Sequence, residues 1–446
     1  MNWSRQDFPK DFQFGVATSA YQIEGHGFGG AGTTHWDTFA ATGDNVVRNE
    51  HGQRACEHYL RYEGDVDLIA AGGFDAYRFS TSWARILPSG KGQINQQGLD
   101  FYDRLVDKLC ERNIAPHLTL YHWELPATLA DLGGWRNRDI GNWFADYTAI
   151  VIDKLGDRLA SVAPINEPWC VSWLSHMLGH HAPGLKDIRA TAHAMHHVLL
   201  AHGKAMEVMR SMGQDNLGMI ANLEWAFAFD DSAAAEQAAS LYDDYYNRFF
   251  LEGVFKGTYP QAVLEGLEPH MPSNWQDDMT LISQPVDWCG LNYYTCKWLA
   301  PNQGPWPSHT EHHGNLEKTQ MGWDIYPQGL QDFLVRVQQD YTGNTPIYIT
   351  ENGMANADSV VDGSINDQAR INYLNQHFAA TQTAIAAGVP VQGYFVWSLL
   401  DNYEWSLGYE KRFGIVHVDF DNMERTPKAS YHALAQALAK VPVPTA

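Results

Sequence analysis

Two carboxylates stand where short apolar runs are cut off. Ile347-Tyr348-Ile349-Thr350 has strand-forming character and drives straight into Glu351, after which Asn352-Gly353 favours a turn. Ser161-Val162-Ala163-Pro164-Ile165 runs likewise into Asn166-Glu167, and Pro168 keeps the chain from continuing as regular strand. A carboxylate at the end of a buried strand costs roughly several kcal/mol if unpaired, or else its pKa shifts. Either Glu taken alone fits a simple turn cap. Two segments of one design, far apart in sequence, point instead to a pair brought together by a closed fold. A protonated carboxyl and an ionised one flanking a sugar-sized gap are the groups that cleave glycosidic bonds.

The rest of the chain must supply the scaffold that makes them meet. Hydrophobic periodicity predicts strands over 12–17, 75–80, 115–120, the run before Asn166, 217–222, 286–291, the run before Glu351 and 391–397. Helical spacing predicts helices over 54–71, 99–112, 140–155, 190–212, 233–249, 329–340, 367–387 and 428–439, with Gly72-Gly73 ending the first. Gly and polar residues from 25 to 52 predict one long loop. Length alone would allow about three domains. Eight strands alternating with helices, and no low-complexity linker, predict instead a single (β/α)8 barrel over 1–446 with long strand-to-helix loops. Catalytic groups in such a barrel come from the C-terminal ends of the strands. An open doubly wound sheet would need a Gly-rich phosphate turn directly after the first strand. Gly25-His26-Gly27-Phe28-Gly29-Gly30 comes several residues late and opens no evident helix.

Composition narrows the partners. With 52 acidic against 30 basic residues the formal net charge is −22, which disfavours nucleic acid and anionic membranes and fits a neutral small-molecule substrate. The chain is 45% hydrophobic, and its 16 Trp, 21 Tyr and 19 Phe can fill a large core and still leave rings for sugar faces. Five widely spaced cysteines, Cys56, Cys110, Cys170, Cys289 and Cys296, form no CxxC pair and predict reduced thiols. No apolar stretch resembles a signal h-region or a bilayer span, so the expected compartment is the cytoplasm. His193, His196, His197 and His202 on one helix invite a zinc reading, but no Glu follows His193 and no third ligand is evident, so no metal is expected.

With the residues at each strand end written down, the chain resembles the family 1 glycoside hydrolases of β-glucosidase type. The motifs run in family order: the 12–25 stretch Phe-Gln-Phe-Gly-Val-Ala-Thr-Ser-Ala-Tyr-Gln-Ile-Glu-Gly, then Tyr77-Arg78-Phe79-Ser80-Thr81-Ser82-Trp83 and Tyr121-His122-Trp123. Asn166-Glu167-Pro168, Asn292-Tyr293-Tyr294, Thr350-Glu351-Asn352-Gly353 and the 397–405 stretch Trp-Ser-Leu-Leu-Asp-Asn-Tyr-Glu-Trp complete them. The resemblance implies Glu167 as acid/base and Glu351 as nucleophile, with Arg78 and Tyr294 holding Glu351 ionised. It implies sugar contacts from Gln22, His122, Trp123, Asn166, Asn292, Trp397, Glu404, Trp405 and Phe413, with Asn166 directed at the 2-hydroxyl. On the leaving-group side it implies Trp169, Leu174, Asn222 and Trp323, with Trp173 and Leu178 narrowing the entrance. No cofactor is implied. A retaining double displacement follows if the carboxyl groups lie about 5–5.5 Å apart. Relatives acting on 6-phosphorylated sugars resemble this chain but carry Ser at position 404 and a following Lys and Tyr. Here Glu404, Lys411 and Phe413 occupy that stretch, which implies an unphosphorylated glycoside, with cellulose-derived sugars as one source. The resemblance implies a β-glucosidase and leaves β-fucosidase and β-galactosidase activity open beside it, since Gln22, Glu404 and Trp405 would read the hydroxyls in which the three sugars differ; a 6-phospho-β-glycosidase and a catalytically silent sugar binder are the alternatives.

Overall fold

The computed structural model describes residues 1–439; the last seven residues of the expected unit lie outside them. Eight parallel strands form the centre: β1 Gln13–Ala17, β2 Ala76–Ser80, β3 Ala115–Tyr121, β4 Ser161–Ile165, β5 Gly218–Ala228, β6 Trp288–Pro301, β7 Ile347–Asn352 and β8 Val391–Trp397. Pairing runs β4-β3-β2-β1-β8-β7-β6-β5. The parallel bridges Val162 to Leu217 and Asn166 to Ile220 then join β4 to β5 and close the barrel. All residues of β2 and β4 are buried, as expected of strands covered on both faces.

The helices pack outside, and their sequence shows why. Gln96–Glu111 buries Leu99, Tyr102, Leu105, Val106 and Leu109 at three- and four-residue spacing and leaves its charged face in solvent. Inside the barrel, His117, Trp288, Tyr348 and Phe395 converge below Arg78, and His117 shares a 2.7 Å contact with Ser161 Oγ. This plug fills one end. Arg78 belongs to this plug and hydrogen-bonds Glu351, which lines the larger cavity.

The differences from the periodicity reading have local causes. The helix expected from residue 54 begins at His58, because Ala55 and Glu57 take left-handed φ of 46° and 53° that no α-helix continues. The expected loop over 25–52 contains the helix His35–Ala40, capped where Asp37 N–H donates to Thr34 Oγ1. β5 and β6 run past their expected ends, pair with each other to Ala228 and Leu299, and β6 then meets a short antiparallel strand, His309–His312. A register shift between Leu223 and Trp225 in that pair brings both Asn292 and Tyr294, and then Thr295 and Lys297, to the cavity.

Gly353 differs in its reason. Its backbone does not take positive φ; a Cβ there would lie 1.8 Å from the carbonyl oxygen of Trp397. The glycine lets β7 and β8 leave the barrel in contact, which sets Glu351 against Trp397.

The loops after β7 and β8 are tied together by buried charge. Lys428 Nζ lies 2.5 Å from Asp358 and 2.7 Å from Asp401, Arg370 pairs with Asp358 at 2.8 Å and with Asp367, and Arg412 reaches Asp401 at 2.8 Å. Lys428 is fully buried, so removing its ammonium takes from Asp358 and Asp401 the one cation they share and leaves each with a single arginine in a low dielectric. Lys428→Met is expected to lower the unfolding free energy by about 3 kcal/mol or more in urea titration. Breaking the exposed Arg112–Asp67 pair with Arg112→Ala should change it by less than about 1 kcal/mol.

Candidate active site

Glu351 is the next-to-last residue of β7 and is 3% exposed; Glu167 follows β4 and is 4% exposed. Between them runs an unbroken set of hydrogen bonds. Asn292 Nδ2 donates to Glu167 Oε1 at 2.6 Å and to Asn166 Oδ1 at 3.0 Å. Arg78 Nη2 donates to the same Asn166 oxygen at 2.6 Å, while Arg78 Nη1 donates to Glu351 Oε1 at 2.5 Å. Tyr294 OH covers the other oxygen, Glu351 Oε2, at 2.6 Å. Thr350 Oγ1 donates to Asn292 Oδ1 at 2.6 Å and so fixes which way that amide faces.

The backbone serves the same end. Asn352, next to Glu351, donates to Tyr293 O at 2.6 Å and to Tyr373 OH at 3.0 Å, and accepts from Tyr394, which locks the end of β7 between its neighbours. Glu167 takes φ of 51°, Trp123 78° and Trp405 50°. Asp44, which also lines the cavity, takes 70°; left-handed backbone at non-glycine residues is costly, and four cases in one cavity mark a place where position outweighs local comfort.

The two carboxyls share burial but not surroundings. Burial raises the Glu167 pKa first, the neighbouring Glu351 charge raises it further, and hydrogen bonds from Cys170 and Asn292 recover part, leaving it at about 8. Burial raises Glu351 as well, but Arg78 and Tyr294 oppose it directly. One proton held in this pair therefore resides on Glu167. Glu404 is also pushed up to about 8, by burial and then by the charges of Glu351 and Glu167. The imidazole of His122 is held neutral by burial and by Arg78.

A cavity of about 670 Å³ opens over both carboxyls. Trp397, Trp405, Glu404, His122, Trp123 and Phe413 line one end, and His122 lies nearly parallel to Trp397 and Trp405. Two polar atoms there, Glu404 Oε2 and His122 Nδ1, are buried without a partner. Gln22 and Asn166 lie one layer behind the wall. The Gln22 amide is held by Ser19, Asn402 and the Tyr403 carbonyl, and Asn166 by Arg78 and Asn292. The Trp123 indole donates to Asn166 O at 2.9 Å, which fixes its ring.

At the other end Trp169, Leu174, Leu178, Asn222 and Trp323 line the cavity. Trp173 does not narrow the entrance: it is 2% exposed and stacks on Tyr245 with ring centres 4.3 Å apart. The histidines expected on one helix face different elements, His196 toward Tyr259 and Asp278 and His197 toward Trp135 O. Lys411 pairs with Glu410 at 2.8 Å and is not part of the cavity wall.

Several cavity residues escaped the sequence reading. Cys170 Sγ lies 3.0 Å from Glu167 Oε2, and Asn222 bridges Cys170 and Tyr246. The position of Cys170, three residues after Glu167 on the following helical turn, was the available signal. Glu224, Tyr242, Lys297 and Glu311 also line the cavity. They sit on the outer extensions of β5 and β6 and their surroundings, which no periodicity revealed.

Comparison with known proteins follows the same lines. The glycosyl hydrolase family 1 profile matches residues 4–440. A 1,4-beta-D-glucan glucohydrolase of Thermotoga neapolitana is 44% identical over 95% of this chain and 96% of its own. A bifunctional beta-D-glucosidase/beta-D-fucosidase of Bifidobacterium breve is 39% identical over 95% and 96%. The solved structure of a family 1 β-glucosidase from Thermotoga maritima with isofagomine lactam has a TM-score of 0.94 at 42% identity, over 97% of this chain and 98% of that one. The paired buried carboxyls, the closed barrel and these matches agree: the chain belongs to glycosyl hydrolase family 1.

Proposed function

We propose that the chain is a retaining β-glucosidase in which Glu351 is the nucleophile and Glu167 the acid/base. The observation that carries this is the single hydrogen-bonded path from Glu167 through Asn292, Asn166 and Arg78 to Glu351, with the cation on the Glu351 side. Glu351, ionised between Arg78 and Tyr294, attacks the anomeric carbon as Glu167 gives its proton to the departing glycosidic oxygen. Glu167, now ionised, takes a proton from water, and the resulting hydroxide equivalent releases the sugar from Glu351. The buried medium strengthens both interactions.

The relatives named for glucan and glucoside hydrolysis support glucose as the glycosyl unit. Glu404, protonated much of the time at neutral pH, both donates to and accepts from hydroxyls, and Trp397 and Trp405 offer ring faces. The bifunctional Bifidobacterium breve relative supports tolerance of a 6-deoxy sugar as well. Exclusion of a 6-phosphate rests on the want of a cation to hold it, since Lys411 is paired with Glu410, and on the ionised Glu351 near Glu404, whose raised carboxyl a dianion would keep protonated. The relatives named for glucan and glucoside hydrolysis support soluble β-glucan fragments as substrates. Four buried cysteines and one exposed one, all free, support a reducing compartment such as the cytoplasm, and no helix among the described residues is long and apolar enough to cross a membrane. The expected single catalytic unit is supported by a continuous core from Trp3 to Leu438.

The decisive test is turnover of an aryl β-glucoside beside Glu351→Gln. The substitution should reduce kcat by about 10³-fold or more, and a 2-deoxy-2-fluoro glucoside should label Glu351 in the unsubstituted enzyme, read by mass spectrometry. Binding without turnover in the unsubstituted protein would overturn the enzymatic reading. Glu167→Gln should slow release of a poor leaving group by roughly 10²- to 10⁴-fold and of dinitrophenolate far less, because the latter needs no proton.

kcat/KM should fall as pH rises past about 8, as Glu167 loses the proton it must donate. The Cys170 thiol favours the Glu167 carboxylate, so Cys170→Ala should move that basic limb upward in a pH–rate profile. An unmoved limb would show that the contact has no electrostatic effect. A higher kcat/KM on aryl β-glucoside 6-phosphate than on the plain glucoside would refute the assignment of glycosyl class.

A further inference from the structure

A second, much smaller space lies inside the barrel and is lined by Arg78, His117 and Thr119 among others. It measures about 10 Å³, at the lower edge of the roughly 10–15 Å³ that one water molecule needs. Strands β2 and β3 bring these three residues together. Arg78 is the register partner of His117, and Thr119, two positions on, points to the same face of β3 as His117. All three are more than nine-tenths buried.

Most polar groups around this space are already engaged. The Trp288 indole donates to Asn216 O at 3.0 Å, Tyr348 OH donates to Gln392 at 3.2 Å, Thr350 Oγ1 donates to Asn292, and Ser161 Oγ meets His117 Nδ1 at 2.7 Å. Among the described residues, Arg78 Nε, Thr119 Oγ1 and His117 Nε2 have no partner. A single water molecule answers all three at once. Arg78 Nε–H can only donate, so the water accepts from it, and the Thr119 hydroxyl and a neutral imidazole take whichever roles remain. Burial and the charge of Arg78 keep that imidazole neutral, with its pKa lowered to about 3. An anion fits less well, because the guanidinium is already matched by Glu351 Oε1 at 2.5 Å, and a cation is repelled by it.

Resting on Glu351 as the nucleophile, we infer that Arg78 Nε, Thr119 Oγ1 and His117 Nε2 form the binding site of one buried water molecule, through which His117 and Thr119 act as positioning residues for Arg78. Nη1 of the guanidinium is directed at Thr350 O and Glu351, and Nη2 at Asn166. With Nε tied as well, the planar group is held along its whole edge and its fork cannot tilt away from Glu351. Loss of that tie weakens the contact that opposes burial in setting the acidity of Glu351. The other ionisable groups around Glu351, namely Tyr294, Glu167 and Glu404, do not line the small space and are unaffected by what fills it.

Two measurements test this. A high-resolution crystal structure of the unsubstituted enzyme should show one water within hydrogen-bonding distance of all three atoms; well-ordered side chains with no water peak between them overturn the inference. The acidic limb of kcat/KM against pH for an aryl β-glucoside, where Glu351 takes up a proton, is then compared in Thr119→Val, His117→Leu and Thr119→Ser, with thermal unfolding recorded for each. Thr119→Val and His117→Leu should move that limb upward by about half a pH unit, roughly a threefold change in the ionisation constant of Glu351, whereas Thr119→Ser keeps the hydroxyl and should leave it in place. A limb unmoved in Thr119→Val overturns the positioning role, and if that variant fails to fold, an unmoved limb in His117→Leu does so. Failure of the fluoro glucoside to label Glu351 would sink the assignment of the nucleophile instead, while the water peak still decides the site, so the two failures are distinguishable.

Discussion

Arg78 is the cation hydrogen-bonded to Glu351, and the arrangement around it follows from how its two terminal nitrogens are divided. Nη1 goes to Glu351 and Nη2 to Asn166. Two carboxylates buried side by side with no cation could not both ionise. A cation shared equally between them would leave them chemically alike. By touching Glu351 directly and Glu167 only through two amides, Arg78 makes one carboxyl the better anion and leaves the other as the site of the proton. Guanidinium suits this task because its planar fork reaches two acceptors at once and keeps its charge when buried.

This division has to be held in place, and the barrel does so by drawing on non-adjacent strands. Arg78 comes from β2, Asn166 and Glu167 from the end of β4, Asn292 from β6 and Glu351 from β7. None of them can shift without its strand, and the strands are closed into a ring by the bridges between β4 and β5. The plug of His117, Trp288, Tyr348 and Phe395 supports Arg78 from below. The Lys428 network holds the loops from above, including Asp401, three residues before Glu404. Stability elsewhere thus sustains left-handed backbone at Glu167, Trp123 and Trp405, where strain is tolerated for the sake of aim.

The barrel was legible in the sequence because each strand and each major helix carries its own period. The helix Ile140–Leu155 and the strand Val391–Trp397 match expectation to the residue. Glu351 and Glu167 were legible because a carboxylate ending an apolar run violates the local pattern. What was not legible depends on contacts between strands. The register shift in the β5–β6 pair, which turns Lys297 inward, leaves no mark on either strand alone. Gly353 looked like a turn glycine, yet its constraint is the carbonyl of Trp397, a residue forty-four positions later. Trp173 sits one residue from the cavity-lining Leu174 and faces the opposite way, because the segment Cys170–Leu174 is a π-helical turn whose faces an α-helical reading misplaces.

The raised carboxyls also tie activity to stability, with a definite sign. Glu167 and Glu404 have folded pKa values near 8, above the ordinary glutamate value that they regain in the unfolded chain. Below that ordinary value both states are protonated and the folded state bears no penalty. As pH rises toward 8 the unfolded chain releases protons that the folded chain retains, so the unfolded state is favoured progressively across that window. The surroundings that keep Glu167 protonated near neutrality, as its proposed role as acid requires, therefore withdraw stability over that same pH range. A ligand whose hydroxyls paired with Glu404 Oε2 and His122 Nδ1, as the proposed function requires of the sugar, would offset this by binding only the folded form.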